Sequence, residues 1–150
     1  MEDKIDRENI KKNKFWAGVI LYNPVIKEVL LQKRDAEAPV NPNKWAFFGG
    51  TGEYGETPEN CLVRELKEEI GVDLPQGGFT PMRDYLNEKL MIWRYVYTMP
   101  FTLDKSQMTL GEGEDFDWIP FDKVLEYDLT DNTKLDLEFF ECKLLQRLGL

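Results

Sequence analysis

The 150-residue chain contains no histidine. That absence removes whole classes of chemistry. A zinc site built on imidazole cannot form, nor can a serine–histidine triad. Any general base must be a carboxylate, lysine, tyrosine or cysteine. Cysteine is scarce: Cys61 and Cys142 stand far apart, with neither metal-ligand spacing nor a disulfide framework. They are expected to be buried free thiols in a reducing compartment. No apolar run approaches the ~18 residues of a membrane span, and the charged opening "MEDKIDRENIKKNK" leads into no signal-peptide core. A cytoplasmic location is therefore the expectation. Basic residues are outnumbered, 19 Lys and Arg against 28 Asp and Glu, for a net charge of -9. This balance argues against partners such as nucleic acid polymers or anionic membranes. A small phosphorylated substrate remains open to it, because a bound divalent cation inverts the local field.

No repeat, low-complexity tract or linker interrupts the chain, so one domain is expected over residues 14–150, after a polar lead-in at 1–13. "FWAGVILY" and "EVLLQKR" read as two strands joined at the turn signal Asn23-Pro24. "WAFFGG" reads as a short strand running into a glycine loop. "FTPMRDYL" and "LMIWRYVYTMPF" read as a hairpin about Asn87-Glu88, and "FDWIP" as a last short strand. Phe121 to Tyr127 is expected as a short helix, and Asp131 to Leu148 as a longer one.

The clearest helix lies between Thr57 and Gly71. Thr57 is an N-cap type, Pro58 suits the first helical position, and Gly71 suits a C-terminal stop. Leu62, Val63, Leu66 and Ile70 form its apolar stripe. Glu65, Glu68 and Glu69 share another side, at spacings of three and four. Like charges so placed repel, so folding alone does not ask for them. Oxygen donors within one turn, ~6 Å along the axis, are what a magnesium ion needs.

Upstream, the pattern lengthens: Gly50, five residues, Glu56, seven residues, Arg64-Glu65-Leu66, one residue, Glu68-Glu69, one residue, Gly71-Val72. This resembles the Nudix box at every specified position, and the wider organisation is similar over residues 15 to 147. The resemblance implies an α/β fold, an α/β/α sandwich around a mixed sheet. It also implies magnesium-dependent hydrolysis of a nucleoside diphosphate linked to another moiety, with manganese able to substitute. Among substrates it places nucleoside triphosphates first, oxidised or not, then nucleotide sugars, then ADP-ribose. Branches of the family that depend on histidine are set aside. A nucleotide-sensing module without turnover is the rival reading, disfavoured because every box glutamate is present. A homodimer is compatible with the resemblance.

The resemblance also assigns roles. Glu65, Glu68 and Glu69 are implied catalytic metal ligands, joined by Gly50. Arg64 is implied to orient loop carboxylates, with Glu56 or Glu53 as its mate. Glu112, six residues before Trp118, matches the family's late glutamate, as fourth ligand or general base, with Glu114 and Asp115 behind it. Lys33, Arg34, Gly49, Gly50 and Glu53 are expected to meet the substrate. Trp16, Tyr22, Trp93 and Tyr95 are candidates for stacking a base, and Asn132 for reading one. Phe48 departs from the proline that many members carry before the glycine pair, which is expected to cost the turn a fixed φ.

Overall fold

Alternation along the first strand explains the layering. In a computed structural model that describes residues 14–111 and 113–149, β1 spans Phe15–Asn23. Its residues Phe15, Ala17, Val19 and Leu21 enter one core, while Ile20 and Tyr22 enter a second. Side chains of a strand point alternately to opposite faces, so one apolar strand feeds two cores. The expected lead-in at 1–13 lies outside the described residues.

The remaining strands are β2 (Glu28–Lys33), β3 (Trp45–Ala46), β4 (Phe48–Thr51), β5 (Thr80–Asn87), β6 (Ile92–Pro100) and β7 (Asp115–Pro120). They form one mixed sheet. β1 runs parallel to β6, with Phe15 opposite Trp93, and antiparallel to β2 and β4. β2 carries β7 and β3, and β5 closes the far edge against β6. The single strand expected from "WAFFGG" is thus two: β3 pairs with β2, the chain steps at Phe47, and β4 pairs with β1. Phe48 sits in that strand opposite Val19 and is fully buried. In place of a turn-forming proline, this chain uses a core side chain.

Helix α1 (Pro58–Ile70) covers the first core. The Thr57 side chain accepts a hydrogen bond from the Asn60 amide at 3.2 Å, and Gly71 takes φ +69°. Cys61, Leu62, Leu66 and Ile70 are fully buried, each aliphatic side chain contributing about 1.5–3 kcal/mol. Val63 is only half-buried. Because a Cβ at Gly71 would meet nothing closer than 3.5 Å, its requirement is conformational rather than steric. Gly71→Ala is therefore expected to destabilise the fold by about 1 kcal/mol, read from the midpoint of urea denaturation.

Helix α2 (Asp131–Phe139) covers the second core and is continued by a π-helical stretch, Phe140–Leu145, and a last turn, Gln146–Leu148. The longer helix expected over Asp131 to Leu148 includes the apolar residues Leu135 and Leu148. Both are exposed, and the π spacing of five turns Phe140 and Leu145 inward together. The short helix expected at 121–127 is a single 3-10 turn, Val124–Glu126. Trp45 ties the start of α2 to the sheet: its amide donates to the Asp128 carbonyl at 2.8 Å and its carbonyl accepts from the Thr130 amide at 3.0 Å.

Candidate active site

Arg64 stands at the centre of the box. Its Nε and Nη2 donate to the two carboxylate oxygens of Glu56 at 2.9 and 3.0 Å, a bidentate pair. Nη1 donates to Glu65 Oε1 at 2.9 Å and Glu68 Oε2 at 3.4 Å, and Nη2 also donates to the Thr51 carbonyl at 3.2 Å. One planar cation thus holds helix α1 to the loop after β4. The Glu56 Oε1 atom also accepts from the Glu53 amide at 2.7 Å. Of the two expected mates, Glu56 makes the fork, while the exposed Glu53 carboxylate is 3.9 Å from Nε.

The Arg64 hydrogen bond holds the Glu56 carboxyl below the usual carboxylate range, and the pair raises the Arg64 pKa in turn. A carboxyl whose folded pKa lies below its unfolded value binds fewer protons when folded. The stability it contributes is complete above the unfolded value, about 4.3, and is lost as pH falls through the folded one. Stability is expected to decline with acid below about pH 4.3, and Glu56→Gln to flatten that decline, as followed by thermal melts across pH.

The glycine loop is shaped by what lies against it. A Cβ on Gly50 would meet the Glu65 carboxylate at 2.3 Å. On Gly49 it would meet the Ala17 carbonyl oxygen at 2.3 Å. The Gly50 carbonyl accepts from the Cys61 thiol at 3.5 Å, and burial pushes that thiol's pKa up to about 12. Cys61 is thus an inert packed group, as expected, whereas Cys142 is exposed.

Glu69 is buried, 4% exposed, and its Oε1 accepts from Gln32 Nε2 at 3.4 Å. Glu68 is half-exposed. Among the described residues, no three acidic, cysteine or histidine side chains already converge on one point. Arg64 stands between Glu65 and Glu68, and Glu69 leans to Gln32. The donor chemistry nonetheless fits a hard cation: three carboxylates on one helix, with no nitrogen or sulfur ligand of the soft kind. The backbone of Gly50 lies against the first of them.

Glu112 lies outside the described residues, but its neighbours are tightly placed. The Gly111 amide donates to the Glu69 carbonyl at 2.8 Å, and a Cβ there would meet the Glu68 carbonyl oxygen at 1.9 Å. Gly113 takes φ +86° beside the Lys33 carbonyl. The Glu114 carboxylate pairs with Lys33 Nζ at 3.4 Å. A hydrogen bond from Lys105 holds the Asp115 carboxyl below the usual range. Both runner-up carboxylates are therefore engaged with lysines.

Two cavities adjoin the box. The smaller, about 300 Å³, is lined by Gln32, Arg34, Glu69 and Gly113 among others. The larger, about 500 Å³, shares Gln32 and Arg34 with it and extends past Gly49 and Trp16 to Asn132. Arg34 is held by its Nε hydrogen bond to the Val40 carbonyl at 2.9 Å. Lys33 lines neither cavity and faces Glu114 instead. Of the four aromatic candidates only Trp16 lines the larger cavity; Tyr22 packs on Phe140, Tyr95 on Phe15, and Trp93 is buried with its Nε1 donating to Asp84. Gln32, Arg94 and Asp136 were missed by the sequence reading. Each is a polar residue beside apolar ones, in "LLQK", "IWRYV" and "LDL", and the structure buries all three.

Comparison with known proteins agrees with this architecture. The chain is similar to the 8-oxo-dGTP diphosphatase of Escherichia coli K12, 44% identical over 81 residues. That match covers 54% of this chain and 55% of the relative, so the chain spans about half its length. It is similar to the nucleoside triphosphatase NudI of Escherichia fergusonii, 30% identical over 118 residues, covering 72% of this chain and 84% of the relative. Among solved structures, a mutT/nudix family protein from Listeria innocua superposes with a TM-score of 0.70 at 17% identity, covering 91% of this chain and 97% of that one. The E. coli ORF135 protein superposes with a TM-score of 0.68 at 21% identity, covering 90% and 91%. These two likenesses speak for the fold. With the box network, the mixed sheet and a NUDIX domain model matching residues 13–140 all in agreement, the chain belongs to the NUDIX family.

Proposed function

We propose that this Nudix hydrolase cleaves a nucleoside triphosphate to the monophosphate and pyrophosphate, by magnesium-dependent attack of water at phosphorus. The observation that carries the substrate class is the pair of adjacent cavities, which share Gln32 and Arg34 in their linings. The larger has the volume of a small-ligand site, and the smaller brings Arg34 and Gly113 beside Glu69. A nucleoside in the first would direct its phosphates toward the second. The names of the two relatives, a diphosphatase of 8-oxo-dGTP and a nucleoside triphosphatase, support the same class.

Glu65, Glu68, Glu69 and the Gly50 carbonyl would hold the magnesium, with Glu112 supplied from the loop that Gly111 anchors. When bound, the cation neutralises charge on the phosphoryl oxygens and acidifies a water. The chain's own groups do the positioning. Arg64 fixes Glu56 and Glu65 so that helix and loop keep one geometry. Arg34 offers charge to the phosphate chain, and Gly49 and Gly50 let the backbone lie close. Of the base types left open by the absence of histidine, a carboxylate serves in this reading.

A substrate panel with magnesium tests this. It covers normal and oxidised nucleoside triphosphates, nucleotide sugars, ADP-ribose and dinucleoside polyphosphates. Release of pyrophosphate from the triphosphates is expected to be fastest. Faster cleavage of a sugar nucleotide or ADP-ribose would overturn the substrate class. Binding of nucleotides without turnover of any would favour a sensing module.

A further inference from the structure

Beside the larger cavity lies a charge cluster that the box chemistry does not use. Asp136 of α2 is fully buried and accepts five hydrogen bonds. Arg83 gives two to Oδ1, at 3.1 and 2.7 Å, and the Tyr85 hydroxyl gives a third at 2.9 Å. Arg94 gives two to Oδ2, from Nε at 3.1 Å and Nη2 at 3.0 Å. Two guanidiniums thus share one carboxylate, and the cluster keeps one positive charge in excess. Replacing a buried ionic cluster with apolar residues is often neutral or stabilising. Stability alone is therefore a weak reason for these residues, and orientation of one of them is a better one.

That residue is Arg94. It is 7% exposed, its guanidinium lies 3.7 Å over the Trp16 ring, and it lines the larger cavity. Asp136 occupies its side edge, formed by Nε and Nη2. Among the described residues none accepts from Nη1. The end edge, made by Nη1 and the second Nη2 hydrogen, is what remains for a ligand. It carries two parallel donors in one plane. Clamped by Asp136 and stacked on Trp16, it loses little freedom on binding.

We infer that Arg94 determines base specificity, its end fork selecting a base edge with two adjacent acceptors, such as guanine O6/N7 or cytosine O2/N3. This rests on the reading of the larger cavity as the nucleoside site. Adenine and thymine alternate donor and acceptor along their edges and cannot satisfy both hydrogens of the fork. A good bidentate pair discriminates by roughly 10-fold or more.

The test measures binding of dGMP, dCMP, dAMP and dTMP to the full chain with magnesium, by quenching of tryptophan fluorescence. Turnover of the four matching triphosphates is followed in parallel. dGMP or dCMP is expected to bind at least ~10-fold more tightly than dAMP and dTMP. Arg94→Lys, which keeps the charge but loses the fork, is expected to bring all four within ~3-fold. Equal binding of the four by the wild-type chain would overturn the inference, as would an Arg94→Lys loss that is the same for every base. Should that variant not fold, the wild-type order decides alone. A base order in binding without turnover would sink the triphosphatase reading and leave this inference standing. Turnover of all four triphosphates without any base order would sink this inference alone.

Discussion

Glutamine at both Glu68 and Glu69 is expected to cut turnover by about 10³-fold or more while leaving the fold at least as stable. A Lewis acid at a phosphoryl centre contributes several kcal/mol to the transition state, and each 1.4 kcal/mol is tenfold in rate. Glutamine keeps the shape of glutamate and one acceptor oxygen, but removes the charge that a hard cation requires. The folding term has the opposite sign. Glu69 is 4% exposed, so ionised it bears a desolvation cost. Glu65, Glu68 and Glu69 also repel across one turn of α1. Removing two of the three charges relieves both terms. Steady-state turnover with magnesium, set beside the melting temperature without it, reads the two effects separately. Unchanged turnover would sink the metal-ligand assignment. Lost turnover with a lowered melting temperature would assign the glutamates to folding.

Gly50→Ala is expected to lose about 10²-fold in turnover at a folding cost of no more than about 1 kcal/mol. The new methyl would land 2.3 Å from the Glu65 carboxylate, the far end of a flexible side chain. That carboxylate can swing away, so the fold tolerates the change. It swings out of the position in which Arg64 Nη1 holds it at 2.9 Å, and a misplacement of about 1 Å at a reacting site costs on the order of 10²-fold. Gly49→Ala provides the contrast. Its methyl would land 2.3 Å from the Ala17 carbonyl oxygen, in the sheet itself. It is expected to lower the melting temperature far more than Gly50→Ala does. Kinetics and melts on the two neighbours together decide this. Equal melting losses would show that Gly50, too, serves only the strand.

Much of this was legible in the residue order, and the reason is local. The box helix declares itself through an N-cap threonine, a first-turn proline and a closing glycine, and all three act within one or two turns of the chain. Elements whose form depends on distant partners were read less well. The two-residue strand β3 exists because Gln32 and Lys33 pair with it, and β4 because β1 does. The inward turn of Phe140 and Leu145 comes from a π stretch that suits the second core, and a 3.6-residue period does not contain it.

The same division runs through the candidate site. The spacing from Gly50 to Val72 by itself determined the family, the helix and the three carboxylates, because one rigid helix converts sequence interval directly into position on a face. Only the tertiary structure decided that Arg64 forks to Glu56, that Lys33 turns to Glu114, and that Gln32 meets Glu69 across 37 residues. It alone set Arg94 on Trp16 and aimed it by Asp136, 42 residues later. Those contacts arise where α1 meets its preceding loop and β2, where β2 meets Glu114, and where β1, β6 and α2 meet, and no spacing along a chain encodes which strand will lie beside which.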